Sequence, residues 1–307
     1  MSAERSQLDG FAIGMMTFLC AIWGIQQVVI KLAAHDMLPV VQVGLRSVIS
    51  AVLVAVVMKA KEIPFFADDG TWKPGVWIGL LFGIEFLTIG EGLHYTSASH
   101  MVVFLYTAPI FAALGLQVFL PSERLNAFQW TGIALAFTGI GISFLGGGRG
   151  HGGYPHMIWG DLLGLTAGAA WGFTTVVIRS SSLSEAPATK TLLYQLLGAV
   201  LLVNGVAFST GNPATIRMTP LVWASLLFQA VVVSFASYLM WFRLLRSYLA
   251  SRLGVFSFMT PLFGVIFGVL LLHESVDAAF AIGSALVLAG IIAVSGIHRL
   301  LFRPRPE

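Results

Sequence analysis

Cysteine is almost missing from this chain. Its single thiol, Cys20, lies inside an apolar run, which excludes an intramolecular disulfide and a cysteine-ligated metal cluster and leaves redox compartment unreadable. Charge is the second scarcity. Asp, Glu, Lys and Arg make up 10% of the residues, against about 25% in an ordinary soluble domain, and no polar stretch is long enough for a soluble catalytic domain. Motifs are absent too. No glycine-rich loop ends in Gly-Lys-Ser or Gly-Lys-Thr to hold ATP, so the chain is not a motor by itself. His273-Glu274 is not followed by a second His at zinc-binding spacing, and no Gly-x-Ser-x-Gly elbow presents a nucleophile. An intramembrane enzyme would need a nucleophile with a base, or a metal set, at one depth, and the histidines do not supply it. The expectation is a protein that is no enzyme, carries no cofactor or metal and binds no nucleic acid.

What is present is apolar sequence. Hydrophobic residues reach 57%, gathered in runs of about 20 residues, each long enough to cross a hydrocarbon core of about 30 Å as a helix. The runs predict ten transmembrane helices, at about 11–33, 39–59, 74–95, 98–120 and 127–146, then 157–181, 187–209, 220–246, 250–273 and 276–298. The first is too long for a signal-peptide core and follows Glu4 and Asp9 rather than a basic segment, so it is kept as a span.

The chain also repeats itself. Ala21-Ile22-Trp23-Gly24 matches Ala169-Ala170-Trp171-Gly172, and Val28-Val29-Ile30-Lys31 matches Val176-Val177-Ile178-Arg179, with Gln26 and Gln27 opposite Thr174 and Thr175. Thr107-Ala108-Pro109 answers Met259-Thr260-Pro261, and Glu123, Gly132 and Gly139 answer Glu274, Gly283 and Gly290. Three ordered blocks define two units, 1–148 and 149–307, joined at the glycine-rich stretch that starts at Gly146. Lys and Arg set their orientation. With the N-terminus inside, the inner side collects Arg5, Lys59, Lys61, Lys73, Arg124, Arg179, Lys190, Arg243, Arg246, Arg252, Arg299, Arg303 and Arg305, and the outer side only Lys31, Arg149 and Arg217. Both termini are therefore expected in the cytoplasm. Five helices per unit make the two halves inverted repeats.

Several residues are out of place for a purely structural span. Trp23 and Trp171 lie halfway along their helices rather than in the interfacial belt. They either fill gaps beside Gly24 and Gly172 or line a central cavity, where an indole offers an apolar face and one N–H. Gln26, Gln27, Thr174 and Thr175 add polar groups that need partners or water at that depth. Pro109 and Pro261 interrupt the fourth and ninth helices near the midplane, the pattern of broken helices around transporter sites, and are read as hinges. The intramembrane ionisable residues are Arg46, Glu85, Glu91, His94 and His100, each costing about 2.5 to 3.5 kcal/mol at a helix centre if charged. Arg46 and Glu91 lie at comparable depths and are expected to form an ion pair. Glu91 and His94 share one helical face. The candidate substrate-binding set is Trp23, Gln26, Glu85, Glu91, His94, Tyr106, Trp171, Thr174 and Phe258, the last being the repeat equivalent of Tyr106.

The Trp-Gly pairs in helices one and six, the prolines in helices four and nine, and Glu123 or Glu274 before a glycine-spaced last helix resemble the drug/metabolite transporter superfamily, EamA type. The stretches Glu91 to Ala98 and Tyr106 to Pro109 are similar to bacterial amino-acid exporters of the YddG type. The resemblance implies an all-α polytopic protein with a basket of helices around a central cavity. It further implies a monomer of the bacterial inner membrane that exports amino acids, aromatic ones included. Alternating access between the two halves is the expected mechanism. Another small metabolite or a cationic drug is the competing cargo.

Overall fold

The structure, a computed structural model, describes residues 9–65, 69–120, 124–147, 154–210, 216–248, 256–257 and 259–294. Among these residues every regular element is helical. The first half gives α1 (Gly10–Leu32), α2 (Pro39–Ala60), α3 (Trp72–Tyr95), α4 (Ala98–Leu105), α5 (Ala108–Phe119) and α6 (Ala127–Gly147). The second gives α7 (Met157–Arg179), a 3-10 turn (Ser182–Ser184), α8 (Ala188–Ser209), α9 (Pro220–Leu227), a π-helix (Phe228–Ser237), α10 (Tyr238–Ser247), α11 (Met259–Leu272) and α12 (Ala278–Val294).

Among the described residues seven stretches are long and apolar enough to cross a membrane: α1, α2, α3, α4 with α5, α7, α8, and residues 220–241 through the π-helix. Residues 127–143 of α6, with α11 and α12, are apolar but shorter. Large side chains such as Phe18, Val52, Trp77, Leu201 and Phe208 point outward, a surface suited to lipid and not to water. The chain is a multi-pass membrane protein. Each of the ten expected segments contains helix, with two departures. The fourth is divided at Tyr106 and Thr107 rather than bent, and the eighth passes through a π-helix that nothing in its apolar pattern announces.

Helix starts are chosen locally. The Asp9 carboxylate accepts the Ala12 N–H at 2.8 Å, pairing one of the donors a first turn leaves open. Pro39 and Pro220 open α2 and α9, where a missing N–H removes no helical bond. The α4 start is held from a distance: Glu274, just past α11, accepts from the Ala98 N–H at 2.6 Å, the Ser99 N–H at 2.9 Å and the Ser99 hydroxyl at 2.6 Å. A carboxylate also suits the positive end of a helix dipole.

Glycine sets the seams. A Cβ on Gly24 would lie 2.9 Å from the Thr260 carbonyl oxygen and from the Gly264 nitrogen, so α1 presses on α11. A Cβ on Gly172 would lie 2.6 Å from the Ala108 oxygen and 2.9 Å from the Ala112 nitrogen, so α7 presses on α5. The two Trp-Gly helices thus use their glycines in the same way, each against a proline-bearing helix of the other half. Gly132 and Gly139 of α6 meet Gly290 and Gly283 of α12. Gly90 faces the Val40 backbone too closely to admit a side chain, while Gly44 and Gly92 meet the tips of the Asn204 and Met101 side chains.

Candidate functional site

Where these seams converge, the helices line a cavity of about 320 Å³, within the range of small-molecule sites. From the first half come Trp23, Gln26 and Gln27 on α1, Glu85 and Phe86 on α3, and Leu105, Tyr106 and Pro109 around the α4–α5 break. From the second come Trp171 on α7, Val233 on the π-helix, Tyr238 and Trp241 on α10, and Ser257.

The break between α4 and α5 explains why Tyr106 reaches the cavity. Pro109 has no N–H to continue a ladder, and the chain restarts with Pro109 in the first turn of α5, where proline is tolerated. The Thr107 hydroxyl donates to the Phe104 carbonyl at 2.6 Å, beside the Thr107 N–H at 3.2 Å, and closes the turn at the break. Tyr106, just after α4, then meets Trp171 edge-on, with ring centroids 5.2 Å apart and planes at 86°. Pro261 likewise falls in the first turn of α11, but it is buried and is not part of the cavity wall. Pro109 is thus a helix restart, not a bend in a continuous helix.

Opposite Tyr106 stands a second aromatic pair. Trp23 meets Trp241 edge-on at 5.9 Å and donates its indole N–H to the Ser237 hydroxyl at 2.8 Å. Its donor is thereby used within the protein, and the ring is what it offers a ligand. The π-helix turns Val233 and Ser237 toward this corner, in keeping with the frequency of wide turns at functional sites. Its start is fixed by buried amides. Gln229 donates to Gln42 at 3.1 Å and to Ser225 at 2.8 Å, while Gln42 donates to the carbonyls of Ile30 and Met37 at 2.9 and 2.8 Å. These bonds tie α1, α2 and α9 together behind the site.

One carboxylate enters the wall. Glu85 is buried, and its Oε2 has no hydrogen-bond partner. Arg46 on α2 is buried too. Its Nε and Nη1 are unpartnered, and its guanidinium lies 4.1 Å over the Phe86 ring. Glu85 is next to Phe86 in sequence, on the same helix α3. The expected pair of Arg46 with Glu91 is not formed. Glu91 is half-buried and His94 exposed at the far end of α3, where His94 stacks edge-on against Tyr95 at 4.9 Å. Neither lines the cavity.

Of the candidate substrate-binding residues, the structure brings Trp23, Gln26, Glu85, Tyr106 and Trp171 together. Thr174 is buried away from the cavity wall and donates to the Ala170 carbonyl of its own helix at 2.9 Å. Phe258 lies outside the described residues. Sequence reasoning passed over Phe86, Tyr238 and Trp241 altogether. A signal existed for the last two, an i, i+3 aromatic pair inside an apolar helix, which would put both rings on one face. No cluster of three or more His, Cys, Asp or Glu that could hold a metal ion occurs among the described residues.

The model of the EamA-like transporter family matches residues 10–145 and again residues 158–296. A protein of Escherichia coli K12 named a probable amino-acid metabolite efflux pump is 28% identical, over 95% of this chain and 97% of its own. Its namesake in Salmonella typhimurium LT2 is 27% identical over 93% and 94%. The uncharacterized transporter YoaV of Bacillus subtilis is 25% identical over 88% and 91%. A solved crystal structure shares the fold, with a TM-score of 0.63 at 18% identity, spanning 96% of this chain and 100% of that one.

Proposed function

This chain belongs to the EamA-like transporter family, and from that premise we propose that it is a secondary transporter exporting amino acids, neutral and aromatic ones among them. The observation that carries the reading is the cavity itself. It lies at mid-helix depth and takes its wall from both halves, the position expected of a cargo site that two rocking units share. Its aromatic rings suit apolar and aromatic side chains, and Glu85 with the Gln26 and Gln27 amides suits the polar end. The names of the two enterobacterial relatives support an amino-acid metabolite as cargo.

Two five-helix units of opposite orientation, 1–148 and 149–307, would exchange access to this cavity between the two faces of the membrane. Three observations support that arrangement: the family model matching twice, the equivalent seating of Gly24 and Gly172, and the crossing of α6 and α12 glycine on glycine. The Lys and Arg distribution supports cytoplasmic termini in a bacterial inner membrane, with one chain forming the whole site as a monomer. Purified protein in liposomes loaded with unlabelled phenylalanine should accumulate labelled phenylalanine by exchange, without ATP. Absence of exchange for phenylalanine and for a panel of neutral amino acids would overturn the reading.

A further inference from the structure

We propose that the cavity recognises its cargo by the ammonium end, through Glu85, so that an amine without any carboxylate binds at least as well as the amino acid of the same side chain. The inference rests on the transport reading above and names the chemical class that reading leaves open. Glu85 is the only Asp, Glu, Lys, Arg or His among the described residues of the wall, and its Oε2 is a buried acceptor without a partner. A buried acceptor in that condition is costly until a donor reaches it, and an ammonium supplies both the donor and the opposite charge.

Among the described residues of the wall, no charged donor waits for a carboxylate. The nearby cation, Arg46, is not part of the wall; its guanidinium is laid over the Phe86 ring, and it is Phe86 that meets the cavity. The carboxylate of an amino acid would find neutral amides there, which compensate lost hydration less well than a charged donor. The aromatic rings of the same wall act in the same direction, because an aromatic face attracts cations and repels anions. The site is therefore built to select an organic ammonium carried on an apolar or aromatic body, and a carboxylate is tolerated rather than read.

The test uses three ligands with one side chain, titrated against the purified full chain in detergent and followed by tryptophan fluorescence: phenylalanine, phenethylamine, which keeps the ammonium alone, and N-acetylphenylalanine, which keeps the carboxylate alone. Phenethylamine is expected to bind as tightly as phenylalanine or tighter, and N-acetylphenylalanine at least about tenfold more weakly, the loss of one charged hydrogen bond. Glu85→Gln should abolish that order, and Glu85→Asp should keep it. Since Glu85→Gln alters the surroundings of Arg46, the ligand series on the unaltered chain stands as an independent measurement. Phenylalanine binding with phenethylamine excluded, or N-acetylphenylalanine matching phenylalanine, overturns the ammonium assignment and leaves the transport reading intact. Binding of none of the three overturns both.

Discussion

The third and eighth spans occupy equivalent places in the proposed repeats, yet they are built differently. Helix α3 runs unbroken from Trp72 to Tyr95, with Gly75, Gly79 and Gly83 pressed on Tyr194, Gly198 and Leu202 of α8. The stretch 220–247 contains no glycine, and between Phe228 and Ser237 it widens into a π-helix. The closely seated helix carries the charge of the cavity, Glu85, and the widened one delivers rings, Tyr238 and Trp241. A glycine seam fixes depth and rotation within narrow limits, which a lone carboxylate needs if it is to meet a small polar group. A wide turn re-aims bulky side chains, which an aromatic wall needs. If the proposed repeats hold, one architecture used twice would divide the contacts to cargo between its copies.

The largest effect should come from breaking the seam that seats α3. A Cβ on Gly198 would overlap the Gly79 carbonyl group, so Gly198→Ala should lower the yield of monodisperse protein and its melting temperature, by overpacking of about 1 to 3 kcal/mol or more. Gly205 on the same helix has open space around it, and Gly205→Ala should gain up to about 1 kcal/mol. Equal behaviour of the two variants would mean that the seam does not set the position of α3.

Next in size is the Arg46 and Glu85 cycle, which concerns the charged half of the comparison. Arg46→Ala should destabilise the protein, Glu85→Gln should do so less, and the double variant should recover part of the loss, with a coupling of about 1 to 3 kcal/mol. The same cycle with Glu91 should be additive, because Glu91 does not meet Arg46. Melting curves of the variants in one detergent decide between the two partners.

A smaller change is expected at the prolines. Both stand in the first turn of a helix, so Pro109→Ala and Pro261→Ala should each shift stability by less than about 1 kcal/mol, well short of the roughly 3 kcal/mol of a proline in a helix interior. Pro109 touches the cavity and Pro261 does not, so only Pro109→Ala should alter ligand affinity. An equal loss of affinity in both variants would favour a shared hinge over a local contact.

The smallest effect concerns an ion pair remote from the cavity. Lys190 on α8 donates to Asp69 at 2.5 Å, and that bond, with a second from the Thr71 hydroxyl, holds the Asp69 carboxyl down from its ordinary 3.8 to about 2. A depressed folded-state value gives stability that is present above about pH 4 and is lost as the pH falls through about 2. The melting temperature should drop across that window by an amount that Asp69→Asn reduces. An identical acid profile for the variant would assign the pair no role.

Depth along the chain was legible before the fold was, and rotation was not. The positions of the spans, the pairing of the two Trp-Gly sites and the midplane prolines all follow from linear spacing. Arg46 shows where that stops. Glu85 and Glu91 are separated by six residues, about 9 Å along a helix and about 240° around it, so both suit Arg46 by rough depth while only one can face it. Thr174 shows the same limit, since a hydroxyl in a helix can satisfy itself on its own backbone. The π-helix was invisible because an extra residue in a turn leaves no mark in the hydrophobic run from which the span was read.

The reciprocal seating of Gly24 and Gly172 also fixes the order in which the protein can be completed. The glycine face of α1 waits for α11, and the start of α4 waits for Glu274, both made after α1 to α10. Helix α1 therefore lacks its mate until α11 has been made. Residues 9–147 alone cannot enclose the cavity, since Trp171, Tyr238 and Trp241 of its wall come later in the chain.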